Sequence, residues 1–282
     1  MNLLGPAEIR DLAEMLDVTP TKKLGQNFVV DANTVRKIVK VANVEAGDAV
    51  IEIGPGLGSL TLGLLEAEAR VVAVEIDSRL AEQLPKTVAA LAPEAELTVV
   101  HQDALKVTEL PLAPTRLVAN LPYNISVPVL LHLLEHFDSL TSGVVMVQAE
   151  VGHRLAAEPG SKIYGSPSVK AEWYGNWRIA GTVSRQVFWP VPNVDSVLVG
   201  FERREDQIGT LEERALTFAL VDAAFGQRRK MLRQSLGQVL GGADVATERL
   251  EAAGIAPTAR GEALTVHDFL GVARAHLSAD GK

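Results

Sequence analysis

Short apolar runs recur at Ala49 to Ile53, Arg70 to Val74, Leu97 to Val100, Arg116 to Ala119 and Val144 to Val147, each separated from the next by a helix-like stretch. A chain patterned in this way is confined to βαβ units around a mostly parallel sheet, because parallel neighbours need crossover connections and helices supply them. Ahead of the runs, the spacing predicts a helical leader around Glu8 to Leu16 and a helix over Asn33 to Ala42, with Val35, Ile38, Val39 and Ala42 on one stripe. After them, Ile179 to Val183 and Ser196 to Phe201 flank a loop containing Pro190 and Pro192 and are expected to pair as a hairpin closing one sheet edge. The charged stretch Glu202 to Gln207 is the linker candidate, since everything beyond it reads as helix, punctuated by Gly237, Gly241, Gly242 and Gly254. The expected architecture is a doubly wound, Rossmann-like α/β domain over residues 1–203, followed by a small all-helical domain over residues 204–282.

Several function classes fall away on composition. Leu117 to Leu134 has no formal charge and reaches membrane-helix length, but Asn120, Pro122, Asn124, Pro128 and His132 interrupt it, so it reads as a strand, a loop and a helix. Glu8, Arg10 and Asp11 leave no room for a signal peptide in the first residues, and the expectation is a cytoplasmic protein without a membrane. There are 0 cysteines, which removes disulfides and thiolate chemistry. His132 and His136 share a helix spacing but lack the nearby acid of a metalloprotease motif, and no metal is expected. A net charge of -8 argues against binding nucleic acid by general attraction. The acidity is uneven: from Arg203 onward 11 Lys and Arg face 11 Asp and Glu, whereas 16 face 24 before it.

The first run enters Gly54, Pro55, Gly56, Leu57 and Gly58, a turn at the carboxyl end of a strand, where doubly wound sheets bind nucleotides. A dinucleotide fingerprint would need a third glycine where Ser59 stands. Glycines at alternate positions after Glu52 resemble the motif of S-adenosylmethionine enzymes instead. The second run ends at Glu75, about 20 residues on, where an acid can accept hydrogen bonds from ribose hydroxyls. Asp77 is the alternative for that role, or a helix cap. Asp103, after the third run, could accept from an adenine amino group or cap the helix that follows.

After the fourth run comes Asn120, Leu121, Pro122, Tyr123, Asn124, Ile125. The exocyclic amine of adenine is a poor nucleophile because its lone pair is delocalised into the ring. The Asn120 side-chain oxygen and a neighbouring backbone carbonyl can accept both amine hydrogens and turn the lone pair toward a methyl donor. Pro122 fixes the loop, and Tyr123 offers a flat face for an unstacked base. No general base is needed, since the proton can pass to solvent after attack.

With these residues the chain resembles the ribosomal RNA small-subunit adenine dimethyltransferases (KsgA/RsmA family), from Lys23 to the tail. Gly25, Gln26, Asn27, Phe28 and Val29 look like the family segment lying over the cofactor. The resemblance implies S-adenosylmethionine as cofactor, held by Asn27, Val29, Gly54, Gly56, Glu75, Asp103 and Asn120, in a chain whose residues 1–203 are the methyltransferase domain. It implies catalysis by Asn120, Leu121, Pro122 and Tyr123, with Phe188, in the run Phe188, Pro190, Pro192, Val194, Asp195, Ser196, packing on the target base. Phe225, Gln227, Arg228, Arg229, Lys230 and Arg233 are similar to the helix signature of the small domain, and Arg228, Arg229, Lys230 and Arg233 become candidate contacts to RNA rather than a solvated helix face. Ser184, Arg185 and Asn193 depart from the family pattern around the base loop. The implied activity is dimethylation of two adjacent adenines near the 3′ end of 16S rRNA, by a monomer acting on the small ribosomal subunit during its biogenesis. A large-subunit RNA or DNA adenine methyltransferase would share the loop chemistry, a nicotinamide dehydrogenase the glycine turn, and an assembly-inspecting module would need no turnover.

Overall fold

The computed structural model describes residues 2–19 and 27–280, so Lys23, Gly25 and Gln26 lie outside the described residues. The chain falls into two compact units, residues 1–152 with 177–203, and residues 153–176 with 204–282.

The first unit starts with α1 (Pro6–Met15), β1 (Phe28–Val29) and α2 (Ala32–Val41). Asp31 caps α2 by accepting the Thr34 backbone N–H at 2.7 Å. There follow β2 (Ala49–Ile53), α3 (Ser59–Glu66), β3 (Arg70–Glu75), α4 (Ser78–Leu91), β4 (Leu97–His101), β5 (Arg116–Asn120), α5 (Ser126–His136) and β6 (Ser142–Gln148). Each of the five expected strands forms, and Leu117 to Leu134 is indeed a strand, a loop and a helix. Among the described residues no helix is long and apolar enough to cross a membrane.

Helix α6 (Ala149–Leu155) leads from the first unit into the second, which contributes α7 (Ser166–Tyr174) before the chain returns along β7 (Gly175–Val183). Strands β8 (Phe188–Trp189) and β9 (Ser196–Arg203) complete the first unit. The boundary expected at 203 is therefore crossed earlier as well, because residues 153–176 cluster with the helices that follow Arg204. Those helices are α8 (Leu211–Gly226), α9 (Leu232–Ser235), α10 (Gly237–Leu240), α11 (Ala243–Ala252) and α12 (Val266–Asp280). A reciprocal box of Thr210 and Glu213 caps α8: the Glu213 N–H donates to Thr210 Oγ1 at 3.2 Å, and the Thr210 N–H to Glu213 Oε2 at 2.7 Å.

The central sheet runs β4-β3-β2-β5-β6-β9-β7. Strands β2 to β6 pair in parallel, and β9 joins β6 antiparallel. Every residue of β2 is buried, Glu52 among them, whereas β4 at the edge is only partly covered. From β2 the chain winds outward through β3 and β4, then returns to lay β5 and β6 on the other side, so the order reverses between β2 and β5. A reversal of this kind opens a crevice at the carboxyl ends of the strands. The expected edge pair β7 and β9 lies side by side at the far end. A second, two-stranded sheet pairs Phe28 with Trp189 and Val29 with Phe188. It has no counterpart in the hydrophobic pattern, because two residues carry no period.

Candidate active site

The crevice at the reversal is a cleft lined from five directions: Asn27 to Val29 ahead of the sheet, Glu52 to Leu57 with Ser59 and Leu60 at and beyond the end of β2, Val74 to Ile76 at the end of β3, Gln102 to Leu105 after β4, and Asn120 with Pro122, Asn124 and Ile125 at and beyond the end of β5. Gly54, Gly56 and Gly58 carry φ of 65°, 59° and 96°, in the region that side chains disfavour. At Gly56 a Cβ would also lie 2.8 Å from the Phe28 ring. The turn thus needs glycine both for its conformation and for the space above it.

Glu75 is 5% exposed. Its Oε2 accepts the Gly56 N–H at 3.1 Å, and its Oε1 accepts the N–H groups of Ile76 and Asp77, both at 2.9 Å. Burial pushes its pKa up, and these backbone donors pull part of that back. The carboxylate is consequently held against the glycine turn with one face on the cleft. Asp77 does not compete for this position: it caps α4 through the Arg79 N–H at 2.9 Å and pairs with the Arg79 guanidinium at 2.8 Å. That ion pair holds the Asp77 carboxyl below its ordinary range. Asp103 caps the turn that follows it, accepting the Leu105 N–H at 3.0 Å, and it also lines the cleft.

Glu52 sits on the floor of the cleft at 1% exposure. Burial pushes its pKa to about 8, the Thr61 hydroxyl that donates to it at 2.6 Å works against the rise, and the nearby Glu75 adds to it. Sequence reasoning noted Glu52 only as the residue before the turn. It also passed over Ile76 and Leu105, 57% and 37% exposed, which flank the cleft beside Glu75 and Asp103. An apolar residue just beyond each strand-end acid was the available signal, since a flat ring needs walls as well as hydrogen-bond partners.

Three carboxyl groups line this cleft, and among the described residues no Lys or Arg does. A lining without a cation offers a pyrophosphate no counter-charge, and one rich in carboxyl groups suits a ligand carrying a sulfonium and an ammonium. The Ser59 hydroxyl, buried without a partner at the start of α3, adds a polar group that a dinucleotide fingerprint would lack. The residues present therefore fit S-adenosylmethionine, with Glu75 at the glycine turn, Asp103 beyond β4 and Glu52 at the end of β2 all lining the cleft.

At the end of β5 the Asn120 side-chain Nδ2 donates to the Asn27 carbonyl at 2.9 Å. A carbonyl can only accept, so this bond fixes which end of the amide is oxygen and leaves Oδ1 on the other side. Leu121 is 1% exposed, and its N–H donates to the Met146 carbonyl on β6 at 3.1 Å, which locks the loop backbone at that point. Pro122 packs over Gly54, 3.7 Å from where a Cβ would stand. The Tyr123 hydroxyl shares a 2.7 Å hydrogen bond with Ser196. Burial raises the Tyr123 pKa, and Ser196 offsets part of the rise, so the phenol stays protonated.

Phe188 departs from expectation. It is 2% exposed and belongs to the hydrophobic core, because pairing with Val29 turns it inward; its neighbour Trp189, on the opposite side of the strand, is half-buried and stacks on Phe28 at 6.3 Å and 24°. The structure therefore presents no open Phe188 face to a base.

In the second unit the basic cluster is likewise rearranged. Helix α8 ends at Gly226, so Gln227 to Lys230 form a turn and not a helix face. Arg228 is committed within the unit: its Nη2 donates to the Tyr164 and Lys162 carbonyls at 2.9 and 3.2 Å, it reaches Glu262 at 3.6 Å, and it lies over the Phe225 ring at 5.8 Å. Phe225 itself packs edge-on against Tyr164 at 5.9 Å. Arg229, Lys230 and Arg233 are exposed, which leaves them as the outward-facing cations of the expected set.

The sequence pattern of the family described as "Ribosomal RNA adenine dimethylase" matches residues 19–276. The chain is 73% identical over 275 residues to the ribosomal RNA small subunit methyltransferase A of Leifsonia xyli subsp. xyli, covering 97% of this chain and 98% of that protein. It is 61% identical to the protein of the same name from Streptomyces griseus subsp. griseus, covering 96% of this chain and 94% of that one. Among solved structures, a dimethyladenosine transferase from Plasmodium falciparum is similar with a TM-score of 0.74 and 26% identity, over 86% of this chain and 94% of that chain. With the family pattern running through both units and relatives that share more than half of its residues, the chain belongs to the ribosomal RNA adenine dimethylase family.

Proposed function

We propose that this protein dimethylates the exocyclic amines of two adjacent adenines near the 3′ end of 16S rRNA, within the small ribosomal subunit and as a step in its biogenesis, acting in the cytoplasm as a monomer. The observation that carries this reading is the orientation of Asn120, whose amide is fixed by Asn27 at the edge of an acidic cofactor cleft. Bound S-adenosylmethionine supplies an electrophilic methyl group. Asn120 Oδ1 and a carbonyl of the Leu121–Pro122 segment accept the two hydrogens of the target amine and direct its lone pair. Tyr123 supports the flipped base. Glu75 and Asp103 hold the ribose and the adenine of the cofactor, and Asn27 and Val29 close over it. The names of the curated relatives, which specify the small subunit, favour that subunit over the large one.

Residues 204–282 then provide the RNA contact, through Arg229, Lys230 and Arg233, with Arg228 bracing the turn that carries them. At a net charge of -8, affinity for unstructured RNA is weak, so recognition depends on phosphates held in one arrangement by assembly. The expected result is that unmethylated, salt-washed small subunits incorporate labelled methyl groups at two adjacent adenines, and that deproteinised RNA at matched ionic strength does so far more slowly. Label appearing in large-subunit RNA or duplex DNA would overturn the substrate, and equal rates on naked RNA would overturn recognition of assembled geometry.

Glu75→Ala is expected to weaken S-adenosylmethionine binding by about 1.5–3 kcal/mol, the scale of a charge-assisted hydrogen bond. Titration calorimetry checks this; an unchanged affinity would remove Glu75 from the ribose site.

A further inference from the structure

Tyr123 is tied to the protein at its far end, and the tie is made by a residue outside the catalytic loop. Its hydroxyl meets Ser196 Oγ at 2.7 Å, and Ser196 is 2% exposed, so water does not compete for the contact. Ser196 is also held from behind. It opens β9 opposite Gln148 of β6, and the Asp195 carbonyl next to it accepts the Ala149 N–H at 2.8 Å. Arg185 clamps Asp195 on its other side, with Nε to Oδ1 at 2.6 Å. The same β6 strand carries the catalytic loop, since Asn120 lies opposite Met146 and the Leu121 N–H donates to the Met146 carbonyl. The root of the catalytic loop, at Leu121, and the start of β9, at Ser196, are therefore both tied to one strand.

We propose that Ser196 is a positioning residue for methyl transfer: its buried hydroxyl fixes the tilt of the Tyr123 ring, and thereby the height at which the target adenine is presented to Asn120. The proposal rests on the reading above that Tyr123 supports the target base. A ring anchored only at its Cβ can swing about its side-chain torsions, whereas one held at Cβ and at the hydroxyl presents a single plane. Reaction geometry is sensitive to displacements of the order of 1 Å. Ser196 is not part of the cleft lining, and on this proposal its effect falls on the chemical step. It explains why a loop that must accept an unstacked base carries Tyr and not Phe at position 123: the ring supplies the face and the hydroxyl sets its angle.

The test is a two-residue cycle on the full chain. Ser196→Ala and Tyr123→Phe each remove the bond and are expected to lower kcat on unmethylated small subunits by about tenfold, with KM for the subunit and the calorimetric Kd for S-adenosylmethionine changed by less than about twofold. The double variant is expected to be no slower than either single one, and Ser196→Thr, which keeps the hydroxyl, to restore most of the rate. In protein labelled with carbon-13 at the tyrosine ring carbon bearing oxygen, Ser196→Ala should move the Tyr123 signal and leave those of Tyr164 and Tyr174 in place. Multiplicative losses in the double variant, a fully active Ser196→Ala or Tyr123→Phe, or an unmoved Tyr123 signal would each overturn the proposal. If Ser196→Ala fails to fold, Tyr123→Phe and Ser196→Thr still decide it by the same rates. A wild-type protein that leaves small subunits unmethylated would instead overturn the proposed function, a result distinct from a normal wild type beside a fully active variant.

Discussion

Asn120→Ala is expected to lower methyl transfer to unmethylated small subunits by about two to three orders of magnitude, the usual loss when a preorganised polar contact to the transition state is deleted. The size follows from what the amide already does before substrate arrives. Its Nδ2 is committed to the Asn27 carbonyl, so Oδ1 needs no reorganisation to accept an amine hydrogen. Alanine removes the acceptor and also frees the Asn27 carbonyl, so some loss of cofactor affinity accompanies the change. Single-turnover rates at saturating cofactor and subunit separate the two effects. A correctly folded variant with near-normal turnover under those conditions would show that the amine is activated elsewhere. Asn120→Asp is the informative companion, since it keeps an oxygen but replaces the donor to Asn27 with a second acceptor, and it should rescue little.

The second large effect is on stability against pH, and it comes from Glu52. Its folded pKa of about 8 lies above the ordinary value of 4.5, because a carboxylate at 1% exposure loses its hydration and the Thr61 hydroxyl replaces only part of it. The folded state consequently binds this proton more tightly than the unfolded state. Glu52 favours folding fully below pH 4.5, and that contribution is lost as pH rises through 8. At about 1.4 kcal/mol per pH unit, the decline across this window amounts to at most about 5 kcal/mol. Glu52→Gln keeps the shape and an acceptor for Thr61 but does not titrate. Urea midpoints of the cofactor-free proteins at pH 5, 7 and 9 should fall more steeply for the wild type than for the variant, and parallel profiles would show that Glu52 does not ionise in this range. Glu75, also shifted upward by burial, adds a smaller decline in the same direction to both proteins.

How legible the molecule is in its sequence depends on whether a pattern has room to repeat. Strand β2 is buried at all five positions, so a run that is apolar except for Glu52 announced it, and the glycine turn after it was readable because Gly54, Gly56 and Gly58 all need positive φ. The two-residue strands β1 and β8 offered no repeat, and the burial of Phe188 went unseen with them: which side of a strand a residue takes depends on register, and register came from Val29. Glu75 and Asp77 could not be separated by spacing, since one ends β3 and the other stands two residues beyond it. What separates them is a competing demand, because Asp77 is needed by its own helix and by Arg79. The basic cluster was legible as charge but not as geometry, since the commitment of Arg228 to the Tyr164 and Lys162 carbonyls joins positions far apart in the chain. The departure at Arg185 from the family pattern acquires a partner in Asp195 that no local reading offered.

The second unit is assembled from two separated pieces of chain, and this sets an order on its birth. During synthesis, residues 153–176 leave the ribosome before the strands β7 and β9 that close the first unit, yet their own partners are encoded only after Arg204. Trp173 and Tyr174 pack edge-on against Phe218, and this contact cannot form until the intervening segment has been translated. A nascent chain in that interval carries α7 ahead of both the strands that complete the sheet and the helix that its rings pack on, and chaperone capture or proteolysis has its best opportunity there. The same wiring means that a chain ending at Arg203 leaves α7 without its packing on α8 and α12, and one beginning at Arg204 lacks α7 altogether, so a cut at 203 divides the second unit.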